Sequence, residues 1–375
     1  MTSKFLFSLL FPTLIITTCI AQPKRLGSLQ FRDVYTVPNN LQFAETPVGG
    51  LSGIDFDATT NTYYLICDDR SALKPARYYT AEIKLSGAVI DTVIFKGKFD
   101  FIAPDGSTYP TLKADPKHTV DPEGLRLNPV TKEIVWVSEG ERIVTAKDTV
   151  LVDPSITITQ NGRFTGQFPL PENARVTDHD YGARQNGTLE ALTFADGYNT
   201  LWAALEEPLY QDGPRADIEE SRALVRFYRY DVASRKNTAQ FAYDLEPVAH
   251  SPILPTAFRV NGITDILEAG NNQFLVVERS FSTGRLPCTV KIFLADIASA
   301  TDVKDIASLK NNEKINVIQK RLLLDMDTLT THVDNVEGIT WGPLLKNGNR
   351  SLLLVTDNNF QSFQKTQIFL LEVLP

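Results

Sequence analysis

The sequence predicts an all-β protein, a single β-propeller of five blades closed by a strand from its own N-terminal region. Three observations carry that prediction. A short phrase recurs five times, an apolar strand start interrupted by a polar or acidic residue: Leu51-Ser52-Gly53-Ile54, Pro122-Glu123-Gly124-Leu125, Leu189-Glu190-Ala191-Leu192, Val260-Asn261-Gly262-Ile263 and Val336-Glu337-Gly338-Ile339. Fifteen to nineteen residues after each small residue, a second apolar run ends in an acid: Asp68, Glu139, Glu206, Glu278 and Asp357. Almost no helical periodicity lies between these landmarks, and self-similarity at roughly 70 residues marks a repeat architecture rather than a wound domain.

The elements follow in order. The last repeat is the clearest: 337–341 opens an inner strand, 343–350 with its Asn347-Gly348 pair makes a turn, 351–356 is a buried β run and 366–373 is a third strand. The other repeats supply a fourth strand at 92–99, 162–168, 238–245 and 315–324. The last repeat lacks one, and 26–37 reads as the strand that completes it, which would close the ring and remove an open sheet edge. Five blades are the direct count, with a degenerate sixth within 146–188 as the alternative. Residues 101–117 and 208–221 are polar, carry Pro or Gly and show no strand pattern, so they read as long surface loops.

Composition narrows the function classes. The 375 residues are 43% hydrophobic and carry a formal charge of −8, which argues against the basic stripe that nucleic-acid binding needs. Lys4, an apolar stretch at 5–20 and small residues at Cys19 and Ala21 read as an export leader cleaved before Gln22. Residues 1–21 are then the leader and 22–375 the propeller domain, an exported monomer in the periplasm or outside the cell; a lipoprotein anchored through Cys19 is the alternative. No second stretch approaches membrane-spanning length. Cys67 and Cys288, in the first and fourth repeats, are expected as separate buried thiols.

In a blade, the start of the first strand and the end of the second share one face, so both acidic columns should meet at one mouth of the channel. Ser52, Glu123, Glu190, Asn261 and Glu337 form the inner column, and Asp68, Glu139, Glu206, Glu278 and Asp357 the next. Crowded carboxylates repel, and relief comes from a cation, from protonation, or from hydrogen bonds to backbone and water. An all-oxygen set from Glu123, Glu190, Asn261, Glu337 and Asp357 suits a hard divalent ion, Ca²⁺ or alternatively Mg²⁺. His118 and His332 each lie six residues before Gly124 and Gly338, where a histidine can serve as acid or base or simply cap a loop. Arg70 and Arg279 stand beside the columns, able to hold a phosphate or carboxylate or to pair with Asp69 and Glu278. Glu139, His118, His332, Arg70 and Arg279 are therefore the candidate catalytic residues.

The set of phrases GLSGIDF, DPEGLRL with WVSEGER, LEALTF with LWAALEE, and VEGITW with LLLVTDNN resembles the phytase-like domain proteins, known for esterase-like activity of phytase, over 50–373. The resemblance implies an exported β-propeller with repeated acidic positions, onto which Glu123, Glu139, Glu190, Glu206, Glu337 and Asp357 map. It also implies a divalent-metal-assisted hydrolase acting on a small anionic, phosphorylated substrate, with Glu123, Glu190 and Glu337 on the metal and Arg70 or Arg279 neutralising substrate charge. Hydrolysis of a lactone or carboxylic ester is a variant within that class. A non-catalytic ligand-binding propeller is the reading from another class.

Overall fold

The computed structural model describes residues 26–285 and 287–375, so the expected leader and Cys19 lie outside the described residues. Five four-stranded antiparallel sheets stand around one axis. Blade 1 runs from the inside outward through Leu51–Asp57, Thr62–Cys67, Arg77–Ser86 and Val89–Asp100. Blade 2 uses Pro122–Asn128, Glu133–Ser138, Ser155–Gln160 and Arg163–Phe168, with a hairpin of Glu141–Val144 and Thr149–Val152 inserted after its second strand. Blade 3 comprises Leu189–Ala195, Thr200–Leu205, Leu224–Asp231 and Lys236–Asp244; blade 4 comprises Arg259–Gly270, Gln273–Ser282, Thr289–Asp296 and Gln319–Asp325. Residues 146–188 thus supply the second strand of the hairpin and the outer half of blade 2, and the count is five.

Blade 5 joins the two ends of the chain. Asn335–Leu344, Arg350–Asp357 and Thr366–Leu374 receive Ser28–Val37 as their outermost strand, in a register from Ser28 opposite Leu374 to Val37 opposite Thr366. Each inner strand lies beside the next, and that of blade 5 returns to that of blade 1.

Middle strands are covered on both faces by neighbouring blades, so they read as unbroken apolar runs rather than alternating ones. Leu352, Leu353, Leu354 and Val355 are all fully buried. Aromatic pairs fill the wedges between blades, with Trp136 stacked on Phe101 at 4.2 Å and Trp202 against Phe274 at 4.9 Å. Cys67 and Cys288 are buried and unpaired, as expected.

The recurring small residue has a steric cause. With five blades the inner strands approach closely: a Cβ at Gly338 would lie 2.8 Å from the Gly53 Cα, and one at Gly53 3.2 Å from the Gly124 Cα. Beside it, the strand register slips between Leu51 and Gly53, Pro122 and Leu125, Leu189 and Ala191, and Val336 and Gly338. These β-bulges leave Ser52, Glu123, Glu190 and Glu337 out of the ladder at the channel end, and bulges re-aim side chains in this way.

Blade 4 departs from the phrase. Its slip falls between Ile263 and Asp265, while Asn261 and Gly262 pair regularly with Ser280 and Arg279. The structural counterpart of Val336-Glu337-Gly338-Ile339 is therefore Ile263-Thr264-Asp265-Ile266, three residues beyond the Val260-Asn261-Gly262-Ile263 match. Thr264 Oγ1 donates to the Val336 carbonyl, much as Ser52 Oγ donates to the Pro122 carbonyl in blade 1. Asp265, at the glycine position, turns its carboxylate into the channel to meet Arg126. That guanidinium also donates to the carbonyls of Ile54, Leu125, Ile266 and Ile339, which come from four of the five blades. The channel is plugged there by a buried ion pair.

Candidate functional site

A cavity of about 1300 Å³ opens at the end of the axis where the inner strands begin. Two local features build its floor. The bulges project Glu123, Glu190 and Glu337, and the ends of the second strands deliver Asp68, Glu139, Glu206 and Asp357. The latter group is held by a repeated backbone bond: Asp68 N to Gly50 O at 2.8 Å, Glu139 N to Asp121 O at 3.1 Å and Glu206 N to Thr188 O at 2.7 Å. With Asp121, eight carboxylates line the cavity.

They converge in two overlapping triads. Asp121, Glu123 and Glu139 each offer an oxygen within 4.8 Å of the others, and so do Glu139, Glu190 and Glu206. Glu139 is common to both, with its Oε1 accepting from the Thr188 amide at 2.9 Å. Arg70 lies 3.3 Å from Asp121 and 2.8 Å from Glu141, while Arg279 lies 3.0 Å from Glu206 and 3.7 Å from Glu337. Asn335 Nδ2 donates to Glu337 at 2.7 Å. Among the described residues, no donor reaches the carboxylates of Glu123 or Glu190.

Electrostatics follow from that crowding. Burial raises Glu123, Glu190 and Glu337 well above the usual carboxylate range, and neighbouring charges add to it: Glu190 on Glu123, Glu139 on Glu190, Asp357 on Glu337. Glu139 is pushed up to about 8 by burial, then by Asp121 and Glu206. Asp121 rises to about 6 because burial outweighs the opposing pull of Arg70, and Asp357 to about 6 because burial outweighs the hydrogen bond from the Asn359 amide. A donor set made only of oxygens, two members of which have no donor of their own, is one a hard cation can occupy.

Seven of the residues expected from the sequence meet here: Glu123, Glu139, Glu190, Glu337, Asp357, Arg70 and Arg279. Three do not. Asn261, set back by the shifted bulge, spends its amide on the Glu246 carbonyl at 2.8 Å and on Glu278 at 2.7 Å. His118 lies on the exposed loop outside blade 2, 2.7 Å from Asp115, beside a separate depression. His332 faces Asp334 at 3.3 Å, outside the cavity lining. Glu278 also leaves its column: it accepts from Tyr243, Lys320 and Asn261 behind the site, and Arg279 takes its place at the cavity.

The walls were not foreseen. On the side of blades 2 and 3, Arg142 and Arg184 lie over the Tyr210 ring at 4.8 and 4.3 Å, with Arg215 2.9 Å from Glu207. On the side of blades 4 and 5, the apolar side chains Phe258, Val260, Phe281 and Phe363 line the cavity among Thr283, Arg285, Gln361 and Gln364. Apart from Val260 and Phe281, which lie in strands of blade 4, these residues sit in insertions that differ between repeats, so periodicity carries no signal for them.

The family model Phytase-like, esterase-like activity of phytase, matches residues 46–360. No curated protein matches the chain. Among solved structures, the chain is similar to an α-L-arabinofuranosidase from Lactobacillus brevis, at 9% identity over 89% of this chain and 92% of that one, TM-score 0.45. It is also similar to the exo-β-1,3-galactanase from Phanerochaete chrysosporium, at 13% identity over 90% of this chain and 64% of that one, TM-score 0.44. A third is the periplasmic gluconolactonase of Pseudomonas aeruginosa, at 11% identity over 88% and 87%, TM-score 0.38. At these scores the likenesses carry no argument about the reaction.

Proposed function

The chain belongs to the Phytase-like family, and from that premise we propose that the acidic cavity is the active site of a hydrolase that cleaves a phosphoric ester with a divalent cation, calcium first and magnesium second. The observation that carries this reading is the pair of triads sharing Glu139, with Glu123 and Glu190 left without donors. Each triad would hold one cation, Asp121, Glu123 and Glu139 on the Arg70 side and Glu139, Glu190 and Glu206 on the Arg279 side. A divalent ion in such a site polarises a phosphoryl oxygen and lowers the pKa of water, at the cost of displacing protons from its ligands.

The remaining roles fall to residues the cations do not need. Arg70 and Arg279 are already charged and line the cavity, so their guanidinium groups can pair with a substrate oxygen. Glu337 accepts from Asn335 through Oε1, and burial together with the neighbouring Asp357 raises its pKa well above the usual carboxylate range, which favours the protonated carboxyl. In this reading that proton would pass to the leaving alkoxide oxygen.

A panel of phosphomonoesters, phosphodiesters and lactones, run on purified protein with EDTA and then with Ca²⁺, Mg²⁺ or Mn²⁺ restored, tests the proposal. Metal-dependent turnover of a phosphoric ester is expected. Turnover of lactones alone would move the reaction to carboxylic esters, and Ca²⁺ binding without any turnover would make the protein a ligand-binding propeller.

A further inference from the structure

We propose that the ester taken by this cavity carries an apolar group, alkyl or aryl, on its alcohol side; the inference rests on the hydrolase reading above. Size opens the argument. Small-molecule sites are usually about 300–1,000 Å³, and this cavity of about 1300 Å³ is far larger than a phosphoryl group requires.

The two walls differ in chemistry. Arg142 and Arg184 are fixed on the side of blades 2 and 3 by stacking on Tyr210 and by bonds to the carbonyls of Thr177 and Pro208. That side suits the anionic end of a ligand. Next to it, on blade 4, the Phe258 and Phe281 rings lie 6.2 Å apart, and Phe258 adjoins Arg184 and Arg215 across a shallow depression. Phe258 and Phe363 are 56% and 65% exposed, so their faces are open to a ligand rather than spent on packing.

This apolar face is anchored and extends to the lip. Thr283 N bonds the Phe258 carbonyl at 3.0 Å and Ile253 N bonds the Thr283 carbonyl at 2.8 Å, tying the loop to the end of Gln273–Ser282. Ile253, 74% exposed, packs on the cavity residue Gly284, where an added Cβ would lie 2.6 Å from its own. Of the twelve exposed large hydrophobic residues described, four (Ile253, Leu254, Phe258 and Phe363) fall in the two segments 251–258 and 358–365. Such concentration marks a contact surface, whereas scattered exposed apolar residues mark none. A ligand that is anionic throughout would leave this wall against water.

Ethyl, butyl and hexyl phosphate share a leaving-group chemistry and differ in apolar length, so their kcat/KM values in Ca²⁺ test the idea directly. About twofold per methylene is expected, half the full transfer effect because the wall is open on one side, or roughly 15-fold from ethyl to hexyl. The double variant Phe258→Ala with Phe363→Ala removes only exposed rings and should cut that ratio to about threefold. A flat series in the parent protein, a slope that survives the double variant, or a preference for inorganic tripolyphosphate over hexyl phosphate overturns the proposal. If no phosphate ester is hydrolysed, the hydrolase reading fails on its own, and calorimetric Kd values for the same series still give the slope. Comparing dispersed hexyl phosphate with phosphatidic acid in phosphatidylcholine vesicles separates a free ester from a lipid headgroup as its source; a preference for either supports the apolar class.

Discussion

Arg126 and Glu190 are both ionisable residues of inner strands, both buried near the axis, yet one has partners on both terminal guanidinium nitrogens and the other has no donor at all. Inside the channel, Arg126 meets Asp265 and four backbone carbonyls, and Asp265 in turn accepts from the amides of Ile266 and Ile339. Burial still lifts Asp265 to about 6, against the pull of Arg126, so it is ionised at neutral pH. At the mouth, eight carboxylates face one another with Arg70 and Arg279 as the cavity arginines that pair with them. Two clusters of similar burial thus teach opposite lessons. A charge neutralised by its own chain closes a channel, and a charge left in excess marks where something from outside belongs.

The comparison can be broken first at its interior. Arg126→Met leaves Asp265 buried without its counter-charge and should cost about 3–5 kcal/mol in denaturant unfolding. Adding Asp265→Asn to it should recover much of that loss. A single variant as stable as the parent would place the pair among decorative contacts.

At the mouth the expected effect is smaller and opposite in sign. Ca²⁺ at about a hundredfold over its Kd should stabilise the protein by roughly 2.7 kcal/mol, read as a rise in Tm. Glu190→Gln should blunt that rise while leaving the chelated protein as stable as the parent or more so, because a repelling charge is gone. An undiminished Ca²⁺ response in this variant would remove Glu190 from the cation set.

Proton linkage sharpens the same contrast. In the unfolded chain Glu139 loses its proton near the ordinary value of 4.5, whereas in the fold it keeps it up to about 8. Between those values the folded state binds more protons, so chelated protein should lose stability as pH rises from about 5 to about 8. Stabilisation by Ca²⁺ should grow over the same range, since the ion replaces protons that the fold otherwise retains. Melting curves with EDTA and with Ca²⁺ across that interval check both trends.

The smallest effect belongs to the histidines. His118→Ala should change kcat/KM by less than about twofold, because its exposed ring serves Asp115 on the outside of blade 2. A bell-shaped pH–rate profile that loses its acid limb in this variant would bring His118 back into the chemistry.

These regions were unequally legible in the sequence. The ring, its closure and the acidic floor could be read because blades repeat, and repetition turns a weak local phrase into a column. Blade 4 misled for a physical reason: Val260-Asn261-Gly262-Ile263 copies the spelling of the phrase, but the bulge forms where Asp265 must reach Arg126, three residues on. Arg126 itself carried a signal, an arginine in the middle of the apolar strand Pro122–Asn128. The walls carried none, since Arg142, Arg184, Phe258 and Phe363 lie in segments without counterparts in other blades. His118 and His332 matched in spacing to their glycines, yet spacing along a loop does not fix direction.

The closure of blade 5 sets a schedule for the making of the protein. Ser28–Val37 is the first described strand to be synthesised and Thr366–Leu374 the last, and the Arg32 side chain bonds Glu372 across a separation of 340 residues. At about 5–20 residues per second, the early strand waits roughly twenty seconds to a minute for its partner. Throughout that interval the nascent chain is an open arc with unpaired sheet edges, the kind of template on which chains stick to one another. Nine residues at the far end of the chain, by arriving, end that exposure.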